Sequence, residues 1–149
     1  MTRVRALGPT PDRADLDAWL AMRAELWPES SDGEHRAESQ EVLASDRTVV
    51  LFAEQDGAVV GFCEASLRDY AEGCTTSPVG YLEGWFVTEG TRRSGVGAAL
   101  VAAAEGWARE RGATEFASDA DLANEVSRTA HAALGFEEVE RVVLYRKSL

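Results

Sequence analysis

The chain has 149 residues, of which 45% are hydrophobic and 28% charged, enough apolar material for one domain with a single core. Its formal net charge of −11 argues against nucleic acid and membrane partners, because such a surface repels phosphate groups, and it suits either plain solubility or a cationic substrate. No apolar run is long enough to span a membrane and no signal-peptide pattern is present, so we expect a cytoplasmic protein. The two cysteines and two histidines lack metal-ligand spacing, so we expect no metal.

Helical and strand-like patterns alternate in the first half of the chain. Apolar residues at helical spacing after Asp12 predict a first helix that Pro28 ends, and a short helix is expected at 38–44. Two apolar runs, at 48–54 and 58–67, predict a hairpin. Asp-Gly lies between them, and both turn residues of such a hairpin must tolerate a positive φ.

The second half completes a mixed α+β sheet with helices on both faces. Residues 69–78 are polar and predict a loop, and 79–87 predict a strand in which Gly84 indicates a bulge or a close backbone approach. A long amphipathic helix follows and Gly112 ends it. The last predicted elements are a strand, a helix closed by glycine and two final strands, at residues 114–118, 123–134, 136–139 and 142–146.

The segment 87–97 is the most informative about chemistry. It leaves a strand, passes a basic turn with Arg92 and Arg93, and opens the long helix. Backbone N–H groups at a helix start have no intrahelical partner and carry partial positive charge, which makes a site for phosphate. Gly95 and Gly97 would let the backbone approach such a ligand without a Cβ in the way.

Three kinds of phosphate loop have this general form. A dinucleotide fingerprint requires a third glycine where Leu100 stands, and a P-loop requires Gly-Lys-Ser/Thr, which the chain lacks. The third pattern is Arg-x-x-Gly-x-Gly after a strand, here Arg92, Gly95 and Gly97. It resembles the pyrophosphate loop of the GCN5-related N-acetyltransferase (GNAT) superfamily. An ordinary helix entry with a tight turn is the alternative.

A downstream pattern is similar to the second cofactor motif of that superfamily. It consists of Asn124 and a helix that ends in Gly135-Phe136. Many members carry a tyrosine four residues before that glycine, and the resemblance implies that it protonates the departing thiolate. This chain has His131 there, which can donate a proton or a hydrogen bond to sulfur. A surface or capping histidine is the alternative.

Short stretches along nearly the whole chain resemble a narrower family, the bacterial aminoglycoside 6'-N-acetyltransferases. The resemblance implies a GNAT fold, whose mostly antiparallel sheet is split at the cofactor site. It also implies acetyl-CoA as co-substrate, a cationic aminoglycoside as acceptor, antibiotic resistance as the role, and a homodimer. The stretches are residues 26–28, 64–68, 76–79, 82–84, 115–120, 133–136 and 140–142.

The same resemblance places the acceptor-binding residues. Carboxylates at these positions would pair with ammonium groups, and aromatic rings would pack on sugar rings or cations. The alternatives are structural, namely a core tryptophan, a solvated tyrosine and an aspartate that caps the next helix. The residues are Trp27, Tyr70, Glu83, Asp119 and Glu140.

The expected reaction is direct attack of a neutral amine on the acetyl thioester. An amine is mostly protonated at pH 7 and an acidic pocket raises its pKa further, so the enzyme needs a proton acceptor. Asp119 is the first candidate and Glu83 the second, with His131 as the third catalytic residue. Backbone N–H groups after the bulge would serve the thioester oxygen and the pantetheine arm. The expected cofactor-binding residues are Trp85, Phe86, Val87, Arg92, Arg93, Ser94, Gly95, Val96, Gly97 and Asn124.

Two other functions stay open at this point. One is an acetyltransferase that acts on a different amine, such as a polyamine or a protein N-terminus. The other is a non-catalytic sensor that binds CoA.

Overall fold

The computed structural model describes all 149 residues and contains five strands and four α-helices. The strands form one sheet in chain order, in which the first four pair antiparallel and the fifth pairs parallel to the fourth. In chain order the elements are β1 Thr2–Ala6, α1 Arg13–Leu26, α2 Asp32–Ala44, β2 Thr48–Gln55, β3 Ala58–Arg68, β4 Val79–Val87, a 3₁₀ turn Glu89–Thr91, α3 Val96–Glu110, β5 Phe116–Ser118 and α4 Glu125–Ala133.

Helices cover both faces of the sheet, which confirms the predicted α+β architecture. On one face α3 packs Leu100 against a cluster that includes Cys63 of β3. On the other face α1 packs Trp19 against Phe62, the neighbouring residue of the same strand. Successive side chains of a strand point to opposite faces, so β3 contributes to both cores.

Local signals account for the ends of the first two helices. The Asp12 side chain caps α1 by accepting a hydrogen bond from the Asp15 amide at 2.8 Å. The second helix is longer than predicted. It begins at Asp32 rather than at residue 38, because Ser31 and Glu34 form a capping box there. None of the helices is long and apolar enough to cross a membrane.

The sheet is split next to β4, as the resemblance implied. Glu64 of β3 faces Gly84 and Ala65 faces Leu82, so Glu83 is the extra residue of a β-bulge. β5 pairs with β4 only over 80–82. Beyond Leu82, β4 therefore has one edge without a strand partner in the chain.

The two ends of the chain differ from the prediction. An unpredicted strand, β1, joins the sheet edge, where Arg5 forms ion pairs with Glu54 at 2.6 Å and Asp15 at 2.8 Å. The two final strands predicted at 136–139 and 142–146 are wrong for the isolated chain. A strand needs a neighbour to receive its backbone hydrogen bonds, and residues 136–149 have none within the chain.

Candidate active site

The first part of the site lies where β4 ends and α3 begins. Gly95 precedes the helix with φ 84°, a left-handed conformation that favours glycine, and no atom lies within 4 Å of the place of a Cβ. Arg92 and Arg93 are exposed beside this turn, and Arg92 Nε donates to the Val87 carbonyl at 3.0 Å. Ser94 donates to a backbone carbonyl of the same turn. The helix start thus combines free N–H groups, positive charge and open space, which suits a phosphate group.

Gly97 has a structural role that the sequence did not reveal. A Cβ at this position would lie 2.9 Å from Cζ2 of Trp85, too close for an ordinary contact. The Trp85 indole Nε1 is buried and has no hydrogen-bond partner in the chain. Buried donors without a partner are uncommon in native proteins, so this N–H is a place where a bound molecule can supply the acceptor. Val96, by contrast, has its side chain buried in the core, so only its backbone is available to a ligand.

Asp119 follows β5 and lies at the split of the sheet. Tyr81, on the neighbouring strand β4, donates its hydroxyl to Asp119 Oδ2 at 2.6 Å. Burial and the Asp119 hydrogen bond raise the pKa of Tyr81, so the phenol keeps its proton and remains the donor. Asp119 itself is exposed and Oδ1 accepts no hydrogen bond from the chain. One carboxylate oxygen is thus held in place while the other is free.

Glu83 lies in the same region and is paired with an arginine. Arg68 of β3 donates through Nε to Glu83 Oε2 at 2.9 Å and through Nη2 to Oε1 at 2.6 Å. Ser66 also donates to Glu83. The Arg68 guanidinium lies over the Tyr81 ring, 3.5 Å from its centroid. Two carboxylates, a phenol and a guanidinium therefore meet at the split.

The sequence prediction missed three of these groups, namely Ser66, Arg68 and Tyr81. A signal for them was present, because residues two apart on a strand share a face. Tyr81 lies two residues before Glu83, and Ser66 lies two residues before Arg68. The register that pairs Ser66 with Tyr81 brings the two pairs together.

His131 of α4 faces the site rather than solvent. Its Nδ1 lies 2.7 Å from the Ser127 carbonyl, which can only accept, so Nδ1 carries the hydrogen. Its Nε2 lies 2.7 Å from Ser118 Oγ, at the end of β5 just before Asp119. The ring also makes a T-shaped contact with Trp85, with centroids 5.4 Å apart. His131 therefore connects the helix-start region with the acidic region.

The remaining predicted residues have different surroundings. Trp27 packs on the bulge, since a Cβ at Gly84 would come within 2.5 Å of its ring. Tyr70 is 67% exposed and makes no side-chain hydrogen bond or aromatic contact. Asn124 caps α4 by accepting from the Ser127 amide at 3.1 Å. Glu140 is exposed and lines, together with Asp119, a cleft of about 1330 Å³ beside β5.

Comparison with known proteins identifies the family. Residues 17–136 match the model of the acetyltransferase (GNAT) family. The chain belongs to the GNAT acetyltransferase family.

Several similar proteins are named aminoglycoside N(6')-acetyltransferase type 1, including one from Serratia marcescens and one from Klebsiella aerogenes. The protein from Serratia marcescens is 51% identical over 140 residues, 93% of this chain and 96% of the relative. The protein from Klebsiella aerogenes is 49% identical over 142 residues, 93% of each chain.

Solved structures share the whole fold of this GNAT chain. AAC(6')-Iy in complex with the bisubstrate analogue CoA-S-monomethyl-acetylneamine superposes with a TM-score of 0.91 at 39% identity. The match covers 100% of this chain and 99% of that one. An aminoglycoside 6'-N-acetyltransferase from Acinetobacter haemolyticus gives a TM-score of 0.89 at 40% identity, covering 99% of each chain. The predicted family and fold class are thereby confirmed.

The GNAT site contains no cluster suited to a metal ion. No three histidine, cysteine, aspartate or glutamate side chains come together at metal-binding distance. The charged groups of the site are instead the arginines at the start of α3 and the carboxylates at the split.

Proposed function

We propose that this chain is an aminoglycoside 6'-N-acetyltransferase that uses acetyl-CoA and confers resistance to these antibiotics. The observation that carries the proposal is that Asp119 and Glu83 lie together at the split of the sheet, beside the open start of α3. Relatives of that name, about half identical over more than nine tenths of the chain, support the same acceptor class. The cytoplasmic location and the lack of nucleic acid and membrane partners stay predictions.

The chain's own residues suit acetyl-CoA. When bound, acetyl-CoA supplies an activated acetyl group and an anionic pyrophosphate. The free N–H groups at the start of α3 would hold the pyrophosphate, with Arg92 and Arg93 adding charge. The open edge of β4 after the bulge would offer N–H groups to the pantetheine arm and the thioester oxygen. The unpartnered Trp85 N–H lies within this region.

Asp119 is best placed to accept the amine's proton. Tyr81 holds one of its oxygens at 2.6 Å and leaves the other free. Glu83 is less suited as a base, because the Arg68 guanidinium neutralises it. In the neutral His131 ring, Nδ1 carries the hydrogen and Nε2 accepts a hydrogen bond from Ser118. Nε2 therefore has no proton to give, and it can donate toward sulfur only when the ring is doubly protonated. We therefore rank Asp119 above both.

A thiol-release assay tests the proposed function. We expect acetyl-CoA turnover with aminoglycosides that carry a 6'-amino group, at a kcat/KM at least about 100-fold above that with an aminoglycoside bearing a 6'-hydroxyl, because the hydroxyl is the poorer nucleophile. A polyamine preferred over every aminoglycoside would instead assign the chain to another amine. Acetyl-CoA binding without thiol release for any acceptor would indicate a sensor.

We further infer that the active form is a homodimer. The C-terminal segment, residues 136–149, exposes six large apolar side chains, four of which are consecutive. It also borders the cleft beside β5. The outer edge of β5 has no strand partner. The same segment of a second copy has the apolar side chains and the backbone donors and acceptors that such an edge binds. The exposed residues are Val139, Val142, Val143, Leu144, Tyr145 and Leu149.

Two matched substitutions test the dimer. We expect light scattering to give a dimer for the wild type and a monomer for Val143→Glu, because a carboxylate would be buried in the interface. Val126→Glu is the control, since Val126 of α4 is similarly exposed, 80% against 74%, and lies outside the segment. A monomeric wild type, or a dimer that survives Val143→Glu, contradicts the inference.

A further inference from the structure

The acidic site contains a cation of its own. Arg68 holds both oxygens of Glu83, at 2.6 and 2.9 Å, with its guanidinium stacked on the Tyr81 ring. Tyr81 in turn donates to Asp119. The free site thus carries two carboxylates and one guanidinium, and its net charge is about one negative unit rather than two.

We propose that Arg68 occupies, in the free enzyme, the place on Glu83 that an ammonium group of the acceptor takes, which makes Arg68 a specificity-determining residue. This inference rests on the proposed function. Glu83 binds the acceptor through an exchange of cations. An acceptor gains from Glu83 only if one of its ammonium groups replaces the guanidinium. Arg68 thereby limits the affinity for cations that lack an ammonium group at the matching position.

The partial exposure of the Arg68–Glu83 pair favours such an exchange. The side chains of Arg68 and Glu83 are 41% and 32% exposed. The pair is bidentate, but at this exposure water can solvate both charges once they separate, so an incoming ammonium displaces the guanidinium at a lower cost than in a buried pair. By contrast, the side chains of the Arg23–Glu64 pair are 3% and 7% exposed, and this pair joins α1 to β3. Breaking that pair would leave a buried charge, and its role is structural.

Arg68 also has a second interaction partner in the site. The face of the Tyr81 ring holds the guanidinium by a cation–π contact that does not involve Glu83. After displacement from Glu83, the side chain can keep this contact, and its hydration partly replaces the lost hydrogen bonds. The phenol therefore supports both states of the arginine.

The test is Arg68→Gln with a tetra-amine aminoglycoside. We expect KM for the acceptor at low salt to fall about threefold or more, because the ammonium no longer competes with the guanidinium. KM should also rise more steeply with ionic strength, because one more unpaired negative charge faces the substrate. The KM for acetyl-CoA, whose proposed site lies at the start of α3, should change less than about twofold.

Two further variants separate this effect from a general change of charge. Arg47→Gln removes the same charge from a similar exposed pair, Arg47 with Asp69 at 2.8 Å, outside the cleft, and should leave acceptor KM unchanged. In the Glu83→Gln background, Arg68→Gln should have a clearly smaller effect on acceptor KM, because only the repulsion between the guanidinium and the acceptor is then removed. A higher KM in Arg68→Gln, equal effects of both arginine variants, or an effect of the same size without Glu83 overturns the proposal.

Calorimetric binding of the aminoglycoside separates this proposal from the proposed function. If the wild type binds the aminoglycoside without acetylating it, the proposed function fails, and the Kd values of Arg68→Gln and Arg47→Gln still decide the role of Arg68. If no variant binds aminoglycosides, both proposals are wrong.

Discussion

Asp119→Asn is expected to lower kcat/KM for the aminoglycoside by at least about 100-fold, the usual range for loss of a general base. The amide keeps the shape of the carboxylate and can still accept from the Tyr81 hydroxyl, which lies 2.6 Å from Asp119 Oδ2. It cannot take a proton from the attacking amine. The residual activity should rise with pH, because the fraction of neutral amine in solution rises as its own pKa is approached. Steady-state kinetics between pH 6 and 9 measure both effects.

Two comparisons define what this loss means. Asp121→Asn removes the same charge from the same cleft, but Asp121 does not accept the Tyr81 hydrogen bond that holds Asp119, so its effect should be small. His131→Ala should also cost less than Asp119→Asn, because a thiolate is a fair leaving group at pH 7 without help. An active Asp119→Asn enzyme would transfer the base to Glu83 or to water. A larger loss at His131 would reverse the ranking of the two residues.

Local sequence signals predicted those parts of the molecule that depend on backbone conformation. Asp56 and Gly57 have φ values of 51° and 80°, as the Asp-Gly hairpin turn requires. Gly84 marks the bulge that makes Glu83 the extra residue of β4. The glycine and arginines before Val96 predicted where α3 begins, and Gly95 adopts the left-handed conformation at that point. Each of these features is encoded within a few neighbouring residues.

Features that depend on distant partners were not predictable in the same way. The link from Arg68 to Glu83 and Tyr81 requires the β3–β4 register, which a bulge shifts by one residue. β1 is an edge strand held by Arg5 to residues 10 and 49 positions away. The C-terminal strands were predicted without an identified partner, and a strand forms only when a neighbour is available for its backbone hydrogen bonds.

Gly97 combines both kinds of information. Its place in the Arg-x-x-Gly-x-Gly pattern was evident, and the sequence assigned it to close approach by a ligand. The structure shows that it also makes room for Trp85, whose ring would lie 2.9 Å from a Cβ. The position therefore joins the start of α3 to the strand after the bulge, and we expect a side chain there to disturb two parts of the proposed acetyl-CoA site at once.

Gly97→Asp is therefore expected to raise the Kd for acetyl-CoA at least about 30-fold, or about 2 kcal/mol. The Cβ displaces the Trp85 ring, and the carboxylate brings negative charge to the helix start that would receive the pyrophosphate. Folding should be preserved, because an acidic residue in the first turn interacts favourably with the helix dipole. Calorimetry with acetyl-CoA measures the loss, and thermal unfolding checks the fold.

Gly106→Asp is the matched control, because Gly106 lies in the same helix with nothing within 4 Å of the place of a Cβ. It adds the same charge about two and a half turns along the helix from Gly97 and should leave the Kd nearly unchanged. Gly97→Ala separates the two causes, since it adds the Cβ without the charge. An alanine variant as weak as the aspartate variant would assign the loss to the displaced Trp85. Equal Kd values for Gly97→Asp and Gly106→Asp would instead remove the start of α3 from the acetyl-CoA site.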